Sequence, residues 1–378
     1  MTTTLEPAGR HCDLLTAPAP GLPADAFAER VLAATLGTME MYAVYFGDRL
    51  GWYRALHEQG PLTSTELAHA TRTAERYARE WLEQQAVNGY LTVDDVAAAP
   101  QDRRFRLPAT HAEVLLDGDS LAHLAPLARM VAASGLHLDD ILEAYRTGAG
   151  VSWQRLGRNA REGQSAINRP LFLHALAQQV LPGVADLDAR LRSGARVADV
   201  GCGEGWSSIG IATGYPEATV DGYDVDAASV DAARRHAVGS DAADRVTFTL
   251  QDVAARRLGD GTPYDAVFAF ECVHDLSDPV GFLRTVHGAV ANDGFVVVMD
   301  ELTEQRFTAP AGPWERVLYG FSITTCLVDG MAHQGSAGTG TVMRPETLRR
   351  YALEAGFSEL EILPSPAEIT FRFYRLHV

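Results

Sequence analysis

The spacing of hydrophobic residues differs between the two halves of the chain. Up to about residue 181, apolar residues recur mainly at the three- and four-residue spacing of helices. From residue 195 onward, short apolar runs alternate with helical stretches, as expected for a parallel sheet with helices on both faces. The pattern predicts an α/β protein with a doubly wound, Rossmann-like sheet in its second half and a mainly helical domain in its first half.

The helical half has the element order of a winged-helix domain. Its apolar spacing and turn residues predict helices at 24–45, 51–59, 63–70 and 73–88, and then two short strands at 90–93 and 104–107. The resulting domain prediction is a weakly ordered tail at 1–22, a winged-helix and dimerisation domain at 23–118, a helical connector at 119–188 and the sheet domain at 189–378.

A glycine-rich turn follows the first strand of the sheet domain. Residues 197–206 read Val-Ala-Asp-Val-Gly-Cys-Gly-Glu-Gly-Trp. Gly201, Gly203 and Gly205 let the backbone turn sharply and approach a ligand closely. A dinucleotide fingerprint would have its third glycine at position 206, which is Trp206. Such a turn is weak evidence by itself, so the neighbouring strands decide which ligand it serves.

Acidic residues end four successive predicted strands of this domain. They are Asp199, Asp224, Asp252 and Glu271. We expect Asp224 to accept hydrogen bonds from ribose hydroxyls and Asp252 from an adenine amine, with Val225 and Val253 as adjoining contacts. An acidic rim would repel a pyrophosphate and attract a ligand with sulfonium and ammonium groups. The predicted cofactor is therefore S-adenosylmethionine.

From these residues the chain resembles the class I S-adenosylmethionine-dependent methyltransferases over roughly residues 190–378. It is more similar to the subgroup that carries an N-terminal winged-helix domain. The stretches of this closer likeness are residues 47–51, 300–302, 319–322, 338–342 and 372–376. The resemblance implies the fold, the cofactor and methyl transfer to a small molecule more firmly than it implies the acceptor.

Residues 271–278, Glu-Cys-Val-His-Asp-Leu-Ser-Asp, contain the candidate catalytic histidine. They are similar to the His-Asp-Trp-Ser-Asp stretch of plant-type small-molecule O-methyltransferases, whose histidine deprotonates the acceptor hydroxyl; here Leu276 replaces the tryptophan. This likeness implies His274 as general base. A carboxylate on its other nitrogen would fix the tautomer, and Asp300 is the predicted partner, with Glu301 in reserve. The alternative is that His274 caps the following turn and Asp300 satisfies loop amides.

The segment 301–343 interrupts the alternation of strands and helices, which predicts an insertion over the carboxyl edge of the sheet. Aromatic residues in it, together with some from the first half, are candidates for the acceptor pocket, although aromatics are as often packing residues. The candidates are Trp314, Tyr319, Phe321 and Trp153, with Cys326 and Tyr45 as further members. The other histidines show no spacing typical of a metal site, so no metal is predicted.

The amino-acid composition restricts which molecules the protein is expected to bind. The 378 residues include no lysine, so the 32 basic residues are arginines, and the net charge is −17. This composition excludes lysine catalysis and argues against nucleic acid as a partner. The helix predicted at 73–88 also carries Glu75, Glu80 and Glu83 against Arg76 and Arg79. We therefore favour dimerisation and substrate capping, with a homodimer, over DNA recognition for the first domain.

Neither a membrane span nor a signal peptide is predicted from the sequence. The cysteines are Cys12, Cys202, Cys272 and Cys326, and they form no CxxC pair, which favours reduced thiols and a cytoplasmic location. The leading hypothesis is methyl transfer to a hydroxyl of a small, aromatic or natural-product metabolite. The alternatives are carbon or nitrogen methylation, a winged-helix regulator that senses S-adenosylmethionine, and a non-methylating use of the cofactor's charge.

Overall fold

The structure is a computed structural model that describes residue 16, residues 19–367 and residues 369–378. Cys12 and most of the tail predicted at residues 1–22 lie outside the described residues. Within the described chain, no helix combines the length and the apolar character needed to cross a membrane.

The first domain is helical and ends in a two-stranded ribbon. Its elements are α1 (Ala24–Arg49), α2 (Trp52–Gln59), α3 (Ser64–Thr71), α4 (Glu75–Val87), β1 (Thr92–Val93), β2 (Phe105–Arg106) and α5 (Ala109–Leu116). Helix α3 begins where Thr63 and Glu66 form a capping box. Trp52 and Trp81 pack in the centre of the domain with ring centroids 4.8 Å apart. The predicted winged-helix arrangement is confirmed, although α1 continues four residues beyond its predicted end at residue 45.

A helical connector leads to the second domain. It consists of α6 (Pro126–Leu136), α7 (Leu138–Thr147) and α8 (Trp153–Leu171), which continues into a π-helical segment at Phe172–Val180 and a short turn at Leu181–Gly183. Ser152 caps the start of α8 through the backbone N–H of Arg155. The helix is kinked at Gly157, whose φ is +77°.

The second domain is an open α/β sheet. Its strands are β3 (Arg196–Val200), β4 (Thr219–Asp224), β5 (Val246–Leu250), β6 (Tyr264–Phe270), β7 (Val290–Glu301), β8 (Glu359–Ile362) and β9 (Phe371–His377). In the described chain these seven strands form one sheet in the order β5-β4-β3-β6-β7-β9-β8, and β9 runs antiparallel to both its neighbours. The doubly wound sheet predicted from the sequence is confirmed.

Helices cover both faces of this sheet. They are α9 (Ala185–Arg192), α10 (Trp206–Gly214), α11 (Ala227–Val238), α12 (Pro279–His287) and α15 (Pro345–Ala355). Buried apolar residues form one cluster on each face, as expected where parallel strands are covered on both sides. The predicted insertion contains α13 (Pro313–Phe321), a π-helical segment at Ser322–Cys326 and α14 (Leu327–Gly330). Parallel strands that end at one edge bring their following loops together below this insertion.

Candidate active site

A cavity of about 680 Å³ lies at the carboxyl edge of the sheet. Three parts of the chain enclose it: the loops after the parallel strands, the connector helix α8 and the insertion helices. Ligands bind in this position in open α/β sheets, at the point where the strand order reverses. Strands β3, β4 and β5 border one side of the cavity, and β6 and β7 border the other.

The glycine-rich turn is braced by the next strand. Gly201 and Gly203 line the cavity with φ values of +77° and +52°. Asp224 accepts hydrogen bonds from the backbone N–H groups of Gly203 and Asp226, both at 2.8 Å, and it also faces the cavity. An added Cβ at Gly203 would meet nothing within 4 Å, so the backbone there is open to a ligand.

Asp199 and Gly205, predicted as cofactor contacts, do not line the cavity. Asp199 is fully buried and accepts hydrogen bonds from the hydroxyls of Ser207 and Ser208, both at 2.6 Å, at the start of α10. Burial raises the pKa of Asp199 to about 6. A Cβ on Gly205 would lie 2.7 Å from a ring carbon of Phe248. Both residues therefore support the loop from the interior, because the side chain of Asp199 and the Cβ position of Gly205 face buried neighbours.

The other residues predicted to hold the nucleoside are brought together. Val225, Asp252 and Val253 line the cavity beside Asp224. One carboxylate oxygen of Asp252 accepts a hydrogen bond from the backbone N–H of Ala254 at 2.9 Å. These side chains follow β4 and β5, which pair in parallel up to Asp224 and Leu250. The register of these two strands therefore brings Asp224 and Asp252 to the same side of the glycine turn.

His274 and Asp300 are in direct contact. The Nδ1 atom of His274 lies 2.9 Å from a carboxylate oxygen of Asp300, which also accepts a hydrogen bond from the backbone N–H of Glu301 at 2.9 Å. His274 lines the cavity, whereas Asp300 is 1% exposed and lies behind the ring. The Nε2 atom faces the carboxylate of Asp275 at 3.3 Å. The predicted contact of His274 with Asp300 is present, and their roles as base and orienting carboxylate stay a prediction. The contact with Asp275 was not predicted.

The surrounding carboxylates change the acidity of His274. Burial alone lowers the pKa of the imidazole, but Asp275 and Asp300 outweigh it, and the pKa is held well above its usual value. Cys326 also lies beside the ring, and burial raises the pKa of its thiol to about 12. The two carboxylates therefore favour the protonated imidazole and oppose the effect of burial.

Glu271 lines the cavity and binds side chains of α8. Its backbone has a φ of +51°, which is rare for a residue with a side chain. Its two carboxylate oxygens accept hydrogen bonds from the side-chain amides of Gln164, at 2.9 Å, and Asn168, both on α8. Burial raises the pKa of Glu271 to about 7. These two amides were not predicted, and their four-residue spacing on one helix is the one sequence signal for them.

Some of the residues predicted for the acceptor pocket line the cavity, and others do not. Trp153, Trp314 and Phe321 line the cavity, as does Cys326. Tyr319 does not, and its hydroxyl lies 3.3 Å from a guanidinium nitrogen of Arg344. Tyr45 is also absent from the lining and pairs with Asn159 between α1 and α8. The helical turn of α13 explains the result, since Tyr319 and Phe321 point to different sides of the helix.

One set of side chains has the composition of a metal site. The potential ligand atoms of His274, Asp275 and Cys326 lie within 4.8 Å of one another, the one such group among residues 16, 19–367 and 369–378. The prediction that the protein uses no metal remains a prediction.

Comparison with known proteins agrees with this geometry. Residues 198–296 match the family described as a methyltransferase domain, and residues 38–116 match the Rv2258c-like winged HTH domain. A 27-O-demethylrifamycin SV methyltransferase of Amycolatopsis mediterranei (strain S699) is 30% identical over 122 residues, which is 32% of this chain and 43% of that protein. The match thus spans less than half of that relative.

Solved structures share the whole architecture. The mitomycin 7-O-methyltransferase MmcR has a TM-score of 0.67 at 21% identity, over 94% of this chain and 98% of that chain. Human N-acetylserotonin methyltransferase, solved in complex with S-adenosylmethionine, has a TM-score of 0.63 at 18% identity, over 95% of this chain and 99% of that chain. At these identities the likeness establishes the fold, which is that of methyltransferases with an N-terminal helical domain. Together with the two family matches, it shows that the chain contains a winged helix-turn-helix domain at residues 38–116 and a methyltransferase domain that includes residues 198–296.

Proposed function

We propose that the protein transfers a methyl group from S-adenosylmethionine to a hydroxyl of a small, aromatic or natural-product metabolite, with His274 as general base. The observation that carries this proposal is the 2.9 Å contact of His274 with Asp300 in the cavity that also contains the glycine turn. The names of the rifamycin and mitomycin methyltransferases support a natural-product acceptor.

The residues of the cavity fit the cofactor. Gly203 leaves its backbone open to a ligand, and Asp224 and Asp252 offer carboxylates beside it. Val225 and Val253 add apolar contacts. We assign the nucleoside to this side of the cavity. When bound, S-adenosylmethionine supplies an electrophilic methyl group on a sulfonium, and an acidic surrounding stabilises that positive charge.

His274 performs the proton transfer through Nε2. Because Nδ1 donates its hydrogen bond to Asp300, the Nε2 atom is the one left to accept the proton of the acceptor hydroxyl. The carboxylate of Asp275 lies 3.3 Å from Nε2 without a hydrogen bond to it. An acceptor hydroxyl bound at Nε2 would therefore lie beside this carboxylate, and the imidazole acts as a base in its neutral form.

The insertion closes the reaction space. Trp314 and Phe321 of α13 line the cavity from the insertion, and Trp153 lines it from the connector. Their apolar faces would hold a planar acceptor and exclude water, which otherwise competes for the methyl group. The residues that bind the acceptor therefore come from the insertion and from the connector helix.

The winged-helix domain supports dimerisation better than DNA recognition. The arginines of α4 are engaged by acids of the same helix, with Arg76 beside Glu80 and Arg79 3.4 Å from Glu75. By contrast, α1 buries only Ala43, Val44 and Gly47 within the described chain. Its exposed apolar side chains are Phe27, Val31, Leu32, Leu36, Met39 and Phe46, each more than half exposed. A large apolar helix face of this kind favours burial against a second copy.

Replacement of the base tests the proposal. A His274→Ala variant, incubated with methyl-labelled S-adenosylmethionine and candidate phenolic acceptors, is expected to lose about 10²-fold or more in kcat. Its affinity for S-adenosylhomocysteine should remain, because the nucleoside side is untouched. His57→Ala, on an exposed position of α2, is the matched control. Unchanged turnover in His274→Ala would contradict the assignment, and mass spectrometry with NMR of the product identifies the methylated atom.

A further inference from the structure

Carboxyl groups crowd the side of the cavity opposite the nucleoside. Glu271, Asp275, Glu301 and Asp329 all line it there, and Asp300 lies behind His274. Glu301 ends β7, which is separated from β3 by β6. Two strand spacings amount to about 10 Å, so Glu301 lies on the acceptor side and away from the glycine turn.

Glu301 has an unused oxygen. The residue is 7% exposed and lines the cavity, and its Oε2 atom is buried without a hydrogen-bond partner. Its neighbour Glu271 is fully engaged, since both carboxylate oxygens accept hydrogen bonds from the amides of Gln164 and Asn168. Buried carboxyl oxygens without a partner are costly, which indicates a binding group that is supplied by a ligand.

Basic side chains do not balance these acids. Arg161, the one arginine lining the cavity in the described chain, lies 3.5 Å from Asp226. His274 is already engaged by Asp275 and Asp300. Arg372 is opposite Asp300 in the sheet register but does not line the cavity. The cofactor brings one net positive charge, from its sulfonium, ammonium and carboxylate groups, and several carboxyls remain.

We propose that the acceptor carries a cationic nitrogen, such as an ammonium group, and that this group binds Glu301 beside Glu271. The proposal rests on the methyl transfer proposed above and adds the chemical class of the acceptor. A cation placed there supplies the missing partner of the Glu301 oxygen and lets neighbouring carboxylates remain ionised. The amides of Gln164 and Asn168 hold Glu271 in position from α8.

The acidities of the pair agree with this arrangement. Burial raises the pKa of Glu301 well above its usual range, and the nearby Glu271 raises it further. A bound cation would oppose both effects and favour the ionised carboxylates. The same cation would lower the pKa of His274 by repulsion, and this favours the neutral imidazole that can accept a proton.

Calorimetry with paired probes tests the proposal. The intact protein is saturated with S-adenosylhomocysteine and titrated with tyramine or with 4-ethylphenol, which has a similar ring and no charge. We expect tyramine to bind at least about tenfold more tightly. Glu301→Gln should abolish this preference, and Glu301→Met, which also removes the charge, should do the same. Glu304→Gln, at an exposed position three residues further along, should keep it.

The outcomes separate this inference from the proposed function. Equal binding of the two phenols, no binding of either, or an unchanged preference in both Glu301 variants would overturn the cationic acceptor. A weaker affinity for S-adenosylhomocysteine in Glu301→Gln, with the tyramine preference intact, would also overturn it by assigning Glu301 to the cofactor. Failure of the wild-type protein to bind S-adenosylhomocysteine would instead contradict methyl transfer itself.

Discussion

His274 lies between two carboxylates, and this position determines the expected pH dependence of the reaction. A base must be neutral to accept a proton, and the pKa of His274 is held well above its usual value by Asp275 and Asp300 despite burial. The value of kcat/KM should therefore fall as the pH drops through this raised pKa and reach its plateau only on the alkaline side.

Asp300→Asn should change both the height and the position of this profile. Loss of the carboxylate lowers the His274 pKa, so the rising limb of kcat/KM moves to lower pH. It also loosens the tautomer, so the plateau of kcat should fall by about 10²-fold or more. The measurement is a pH–rate profile for the variant and for Asp293→Asn, a substitution at an exposed position. A limb that stays in place would mean that Asp300 does not act through the imidazole.

Gly205 is the residue at which the glycine turn tolerates a side chain least. Its φ is +85°, and an added Cβ would approach Phe248 to 2.7 Å. Gly205→Ala should lower the free energy of unfolding by about 1–3 kcal/mol. Denaturant unfolding measures this loss. Gly37→Ala provides the contrast, because Gly37 lies within α1 with nothing near its Cβ position, and the alanine should not destabilise the fold.

Among the elements, α8 links the two domains to the chemistry. It pairs with α1 through Arg49 and Glu162, and neighbouring residues of the same helix, among them Arg161 and Gln164, line the cavity. Gln164 and Asn168 reach Glu271, and Ser165 donates a hydrogen bond to Glu204 in the glycine turn at 2.6 Å. A shift of this helix would therefore disturb the cofactor side and the acceptor side together.

Helix α1 carries the prediction for the oligomer. Leu36 is 53% exposed in the middle of its apolar face. Leu36→Glu should convert a dimer into a monomer, because a charge would have to be buried between the two copies. Light scattering coupled to size exclusion measures the mass in solution. Leu353→Glu, at a site that is 50% exposed on α15, should leave the mass unchanged. A wild-type monomer would contradict the proposed interface.

For the whole molecule, the cofactor assignment predicts ligand-dependent stability. A ligand that binds only the folded protein, at 100 times its Kd, adds about 2.7 kcal/mol to the free energy of unfolding. S-adenosylhomocysteine should give a stabilisation of this size in thermal or denaturant melts. A nicotinamide dinucleotide should not, since its pyrophosphate would meet Asp224 and Asp252 at the cavity edge. The reverse result would contradict the assignment.

The sequence by itself determined the sheet and the cofactor. Both depend on local order, because strands that end in acids bring those acids to one edge once the strands run parallel. A family likeness pointed to His274, and the structure brings it into contact with Asp300, while their catalytic roles stay predictions. Of the predicted pocket residues, Trp153, Trp314, Phe321 and Cys326 line the cavity, and Tyr319 and Tyr45 do not.

Only the tertiary structure decided which of these side chains face the ligand. Asp199 and Gly205 point into the core, and Tyr319 points to the surface, because side-chain direction depends on the pleat and on the helical turn. The amides of Gln164 and Asn168 on α8 bind Glu271 from 107 and 103 positions away in the sequence. Contacts of that length have no local pattern, because packing of the connector and the insertion onto the sheet creates them.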